Sequence, residues 1–136
     1  MDIIYQQEQD LTVKDFTELL ISSTLGERRP VNEPERIEEM LRHANLTITA
    51  RHNGKLVGVS RSLTDWVYAT YLSDLAVHIE YQHKGIGKEL IRQTKVLAPK
   101  SNVILLSAPA AVDYYPKIGM THHAHAFWLR DLKELK

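Results

Sequence analysis

The sequence predicts an α+β fold with a central mixed, mostly antiparallel sheet, and three observations carry that reading. Apolar residues recur at helical spacing in two early segments and one late one. Between them the period drops to two, and Asn53-Gly54 interrupts it as a two-residue hairpin turn. The late helix then joins a long β-prone run to a short apolar one, and a strand-helix-strand crossover favours parallel pairing. At 136 residues, 43% apolar and 25% charged, the chain suits one domain, residues 1–136, closed around one core.

In chain order, residues 2–8 (Asp2 to Glu8) read as a first strand. Thr12 is placed to cap a helix, with Asp15 three residues on, and Val13, Phe16, Leu19 and Leu20 fall on one helical face. Gly26 to Pro34 is polar, holds two prolines and reads as a loop. Pro34 suits the first turn of a second helix, Glu35 to His43, with Ile37, Met40 and Leu41 on its apolar side. Leu46 to His52 alternates and turns at Asn53-Gly54 into a strand from Lys55 to Ser62. Thr64-Asp65 marks another turn, and Tyr68 to Val77 makes the third strand of a meander. A helix from Lys88 to Leu97 ends before Pro99. Val103 to Leu106 is continuously apolar, the pattern of a strand buried on both faces. Ala110 to Ile118 reads as a last short helix stopped by Gly119, and Thr121 to Leu129 as a final strand, an edge that offers a homodimer surface.

Composition narrows the function. With no cysteine there is no disulfide, thiol nucleophile or Cys-ligated zinc, which points to an intracellular protein. Seventeen basic residues balance seventeen acidic ones, where a nucleic-acid binder would carry a basic excess. Met1 to Gln6 lacks a basic-then-apolar signal pattern, and no apolar run nears the ~18 residues needed to span a bilayer. No nucleic-acid or membrane partner is therefore expected, and the cytoplasm is the expected compartment. Among seven histidines, His123 and His125 would share one face of the final strand while His122 faces away; two ligands are too few for a metal site, and none is expected.

The chemistry concentrates in Leu72-Ser73-Asp74-Leu75-Ala76-Val77, then Gln82-His83-Lys84-Gly85-Ile86-Gly87-Lys88: a strand, a glycine loop and a helix start. Gly85 and Gly87 permit φ > 0 and close backbone approach, while the helix N-terminus presents unpaired N–H groups and the positive end of its dipole to an anion. Lys84 and Lys88 add positive charge. A P-loop would need Ser or Thr after Gly-Lys, and Glu89 stands there; the dinucleotide fingerprint would need a third glycine where Leu90 stands.

Gln82-x-x-Gly85-x-Gly87 after Asp74-Leu75-Ala76-Val77 resembles the pyrophosphate-binding signature of the GNAT superfamily of acetyl-CoA-dependent N-acetyltransferases. Tyr114-Tyr115-Pro116-Lys117-Ile118-Gly119-Met120 is similar to that family's aromatic-Tyr-x-x-aliphatic-Gly-aromatic segment, with Met120 in place of the usual Phe. The resemblance implies a GNAT fold of about six to seven strands and about four helices, with parallel strands splayed at an acetyl-CoA cleft. It implies that backbone at Leu75, Ala76 and Val77 binds the pantetheine arm, and that Gln82, His83, Lys84, Gly85, Ile86, Gly87 and Lys88 hold the pyrophosphate of acetyl-CoA, the cosubstrate. Where many relatives carry a CoA-contacting Asn, this chain has Ala108.

Transfer to an amine needs a base, because an alkylammonium has a pKa of ~10, and an acid for the departing thiolate. Tyr115 matches the family's tyrosine, proposed as the acid. The glutamate of histone-acetylating relatives aligns with Tyr71, so the base is left to Asp74, Asp65, Glu80 or a water chain, with a structural role preferred for Asp74. The oxyanion would meet the N–H of Val77 or a neighbour. For the acceptor, Arg28 and Arg29 could attract an anion, while Glu33, Glu35 and Asp65 could pair with an ammonium; Arg61 and Tyr71 complete the candidate set. Val57 to Asp65 resembles relatives that include arylalkylamine acetylators, so the expected reaction is acetyl transfer to the primary amine of a small molecule. The alternatives are acetylation of a protein or peptide amine, a catalytically weak acyl-CoA-binding or regulatory module, and a purely structural interaction domain.

Overall fold

Alternation along the central strands sends apolar side chains to opposite faces of one sheet, and each face receives its own helices. The computed structural model describes residues 1–136 as two compact units, Met1–Leu106 and Ser107–Lys136. In the first unit, β1 (Ile3–Gln7), β2 (Leu46–His52), β3 (Lys55–Thr64), β4 (Ala69–Val77) and β5 (Asn102–Ile104) lie side by side in that order. The first four pair antiparallel, and β5 joins β4 in parallel. The α+β class stands, with a mixed, mostly antiparallel sheet of five strands rather than six or seven.

Helices α1 (Val13–Ser22) and α2 (Pro34–His43) cover one face, where Phe16, Leu19, Leu20, Ile37 and Leu41 bury against Leu56, Val59 and Ala76. Thr12 caps α1 as expected, its Oγ1 accepting from Asp15 N–H at 3.1 Å. Helix α3 (Ile86–Leu97) covers the other face, where Ile86 and Leu90 pack on Leu46, Ile48, Ala50 and Val57. It begins two residues before the expected Lys88, because Gly85 takes the left-handed cap conformation (φ 84°) and Gly87 already lies within the helix. The expected positive φ at Gly87 is thus corrected.

Two bulges modify the alternation. Ala50 pairs with Gly58 and Arg51 with Leu56, leaving Val57 extra on β3; Arg61 pairs with Asp74 and Ser62 with Leu72, leaving Ser73 extra on β4. Strand β5 is also a correction. It has three residues and leaves Asn102 and Ile104 exposed, because it lies at the end of the sheet order. No helix is long and apolar enough to cross a membrane.

In the second unit the expected helix from Ala110 to Ile118 is divided into a 3₁₀ turn, Pro109–Ala111, and a one-turn helix α4 (Tyr114–Lys117). Gly119 stops it at φ 102°. The expected strand from Thr121 to Leu129 is absent. His123 Nδ1 accepts the His125 N–H at 3.0 Å, which turns the chain at Ala124-His125 and breaks the extended run. His123 and His125 do meet, as edge-on rings 5.6 Å apart, through that turn rather than through a shared strand face. The edge offered for a homodimer falls with the strand.

Candidate active site

Strand β4 runs nine residues, but β5 accompanies it only from Ala69 to Tyr71. From Leu72 to Val77 the edge of β4 away from β3 carries no strand. His78 N–H donates to Val57 O across β3 at 2.8 Å, and successive peptide groups of a strand point to opposite edges. Val77 and Leu75 therefore present theirs to the open edge, where Val77 O accepts from Gln82 Nε2 at 2.9 Å. Ala76 turns its peptide groups to β3 and buries its side chain under α1 and α2, acting as a spacer between the two.

Beyond β4, the His78 ring caps a 3₁₀ turn, Ile79–Tyr81, by accepting Glu80 N–H at 3.1 Å. Tyr81 Oη reaches His52 Nδ1 at 2.8 Å, which ties this turn to β2. His83 (φ 63°) and Gly85 (φ 84°) are both left-handed. His83 is a non-glycine there, one of the residue types that enter this region more readily than most. The N–H groups of Gly85, Ile86, Gly87 and Lys88 precede the first internal bond of α3, which Glu89 N–H donates to Gly85 O at 3.1 Å. A Cβ built on Gly85 meets no protein atom within 4 Å. Lys84 and Lys88 are exposed beside this opening. Arg92, one turn on, is held by Glu89 at 2.6 Å. An anionic group can thus reach free amides, a helix N-terminus and two lysines together.

The acceptor candidates are placed less uniformly. Asp74 is buried, with one carboxylate oxygen bonded to Arg29 Nε and the other to Arg61 Nε, so these arginines are engaged within the protein. Arg28 is exposed, Glu33 pairs with Arg36 at 3.4 Å, and Glu35 and Glu80 are exposed. Asp65 Oδ1 accepts the N–H groups of Ala69 (3.0 Å), Tyr68 (2.8 Å) and Val67 (3.0 Å). Those bonds hold its carboxyl below the ordinary 3.8. Tyr71 stands exposed beside Leu63 of β3 and Ile104 of β5, three apolar side chains in register at the last rung before β4 and β5 part.

A groove of about 290 Å³ elsewhere on the first unit, between α1 and the β2–β3 turn, is lined by Asp15, Glu18, Arg51, Lys55 and His78. It includes none of the candidates. No three histidine or carboxylate side chains group closely enough to hold a metal ion.

In the second unit, Tyr115 is half-buried, its ring 5.2 Å edge-on to Tyr114. Burial first, and then the Tyr114 phenol, push the Tyr115 phenol above the ordinary 10.0. Its carbonyl accepts from Met120 N–H at 3.0 Å as the chain reverses at Gly119. Ala108, at the position of the relatives' Asn, begins the 3₁₀ turn Pro109–Ala111 and offers no polar side chain.

Residues 13–120 match the Acetyltransferase (GNAT) family. The chain belongs to that family. A ycf52-like N-acetyltransferase of Prochlorococcus marinus is 29% identical over 136 residues, covering 92% of this chain and 73% of the relative. The ycf52 N-acetyltransferase of Pyropia yezoensis is 26% identical, covering 87% and 70%. Two solved structures share the fold. A GNAT family acetyltransferase from Streptococcus pneumoniae superposes with a TM-score of 0.77 at 20% identity, covering 95% of this chain and 98% of that one. The aminoglycoside N-acetyltransferase AAC(6′)-Iy in complex with CoA gives 0.74 at 14% identity, covering 96% and 95%.

The chain is thus an acetyl-CoA-dependent acyltransferase of the GNAT family. The residues present suit that cosubstrate, since the cradle at Gly85 is open and the amides ahead of Glu89 are free for a diphosphate. Two features of this GNAT protein escaped sequence reasoning: the Ser73 bulge and the tie of both Asp74 oxygens to arginines. Nothing in the sequence signals the bulge, since apolar residues stand on both parities of β4 and both faces of the sheet are covered.

Proposed function

We propose that residues 1–136 act as one catalytic domain that transfers acetyl from acetyl-CoA to the primary amine of a small, arylalkylamine-like molecule. The observation that carries this reading is the open edge of β4 leading directly into the left-handed loop and N-terminus of α3. When bound, acetyl-CoA supplies an activated acetyl thioester. The peptide groups of Leu75 and Val77 orient its arm, and the amides of Gly85 to Lys88, with Lys84 and Lys88, hold its diphosphate. Val77 N–H meets the carbonyl oxygen as negative charge develops there. The amine attacks in its neutral form, and the Tyr115 hydroxyl, kept protonated by burial, gives its proton to the departing sulfur.

Leu63, Tyr71 and Ile104 support an acceptor with a flat apolar group, since their exposed row adjoins the place where β4 and β5 separate. Water serves as the base: the Asp65 carboxylate is committed to the β3–β4 turn and that of Asp74 to Arg29 and Arg61, and Glu80→Gln should leave the rate unchanged. The experiment is thiol release from acetyl-CoA with phenethylamine, spermidine, kanamycin and a lysine peptide. Phenethylamine should give the highest kcat/KM by about tenfold or more, ~1.4 kcal/mol of transition-state binding. Preference for the peptide or kanamycin overturns the acceptor class. Acetyl-CoA binding with no turnover on any of the four turns the chain into a binding module.

A further inference from the structure

Asp74 is the most deeply buried charged residue of the sheet, at 0% side-chain exposure, and the chemistry above does not use it. Its two oxygens are occupied separately, one by Arg29 from the loop before α2 and the other by Arg61 from β3. The same arginines also grip its neighbour. Arg29 Nη2 donates to Ser73 O at 2.8 Å and Arg61 Nη2 to Ser73 Oγ at 3.1 Å, while Arg61 Nη1 reaches Met40 O at the end of α2 at 3.0 Å. Ser73 is the extra residue of the β4 bulge.

An extra residue decides the phase of everything beyond it. Shifting a strand by one position exchanges the faces of its side chains and the edges to which its peptide groups point. The bulge at Ser73 is therefore what turns Leu75 and Val77 toward the open edge and Ala76 toward β3. We infer that Asp74 is a positioning residue which, through Arg29 and Arg61, holds the Ser73 bulge in place and so sets the phase of the β4 edge that receives the pantetheine arm. Removing Arg29 leaves one oxygen of the buried Asp74 and the bulged Ser73 carbonyl without their donor, removing Asp74 leaves both arginines without the carboxylate that aims them at Ser73, and either change frees the strand to slip. This inference rests on the reading of Leu75 and Val77 as the pantetheine contacts.

The test is calorimetric titration with two ligands, CoA and 3′-phospho-ADP, its nucleotide half without the pantetheine arm. The wild-type chain should prefer CoA by at least tenfold. In Asp74→Asn and in Arg29→Gln that preference should fall to threefold or less, while affinity for 3′-phospho-ADP, which needs only the loop and α3, stays within twofold. Arg29 lies at the more exposed end of the clamp, at 22%, and its variant keeps the test open if Asp74→Asn does not fold. An undiminished preference for CoA in a folded variant overturns the clamp and leaves the pantetheine reading standing. Parallel weakening of both ligands reduces the clamp to general support of the fold and likewise overturns it. Equal binding of the two ligands by the wild-type chain removes the pantetheine reading itself, and the inference with it.

Discussion

Tyr115 is half-buried and carries a phenol whose proton is retained well into the alkaline range, which is the state an acid for a departing thiolate requires. Replacing it with Phe keeps the ring and removes the proton, so kcat should fall roughly 10²-fold with acetyl-CoA affinity nearly unchanged. Stopped-flow thiol release beside a binding titration measures both, and equal turnover would return the side chain to a packing role. Asp65 makes the opposite case. A carboxylate that already accepts three amides, with its pKa lowered by them, is a poor proton acceptor at neutral pH. With water as base, kcat/KM should climb with pH toward the amine's own pKa of ~10, and Asp65→Asn should keep that shape. A neutral-pH plateau present in the wild type and missing from Asp65→Asn would identify Asp65 as the base.

At the scale of elements, the decisive contact is between α3 and the bulged part of β3. Gly58 has Ile86 Cγ2 at 3.0 Å, Leu90 Cδ1 at 3.2 Å and Ala50 Cβ at 3.2 Å from where a Cβ would stand. Glycine lets the first turn of α3 sit against the sheet, and that turn carries the free amides. Gly58→Val should destabilise the fold by about 1–3 kcal/mol through overpacking. Because Ile86 opens the helix, the same substitution should weaken acetyl-CoA binding about tenfold. Gly54→Ala, in the β2–β3 turn at φ 82° with nothing near its Cβ, should cost stability through backbone strain and spare affinity. Thermal melts and titrations on the two variants separate these effects, and equal affinity in both would detach helix seating from cosubstrate binding.

For the molecule as a whole, the acidic limb of stability follows from carboxylates held below their ordinary values. Glu8 is half-buried, which by itself would raise its pKa, yet the two bonds from Arg51, at 3.0 and 3.1 Å, together with the Arg51 charge and bonding from Thr49 and Gln6, outweigh burial and lower it below 4.5. Glu89 is lowered by Arg92 and Asp65 by its turn amides. A carboxyl with a lowered folded-state pKa binds its proton more readily in the unfolded chain. Its contribution is complete above the unfolded range of ~4 and is lost as pH falls through the folded value. The melting temperature should hold steady from pH 8 to 6 and drop below pH ~4.5. Glu8→Gln should remove roughly 1–2 kcal/mol at neutral pH, a few degrees of melting temperature, and flatten the acid limb. An acid limb as steep in the variant as in the wild type would assign it to other groups.

The elements legible in the sequence are those whose signals are local. The Thr12 cap, the Asn53-Gly54 turn, the meander and the glycine loop ahead of α3 each rest on contacts or dihedral preferences within a few residues, and their order along the chain already matched the GNAT pattern. What remained hidden depends on partners distant in sequence. Asp74 and its two arginines are 45 and 13 residues apart, so nothing near Asp74 announces the clamp. Arg29 and Arg61 read as free cations until the fold brings them to it. The run from Val103 looked doubly buried because apolar composition does not say whether a strand ends up inside a sheet or at its edge. Thr121 to Leu129 has the residues of a strand, but a strand is stabilised by the ladder it joins, and only the tertiary structure decides whether a ladder exists.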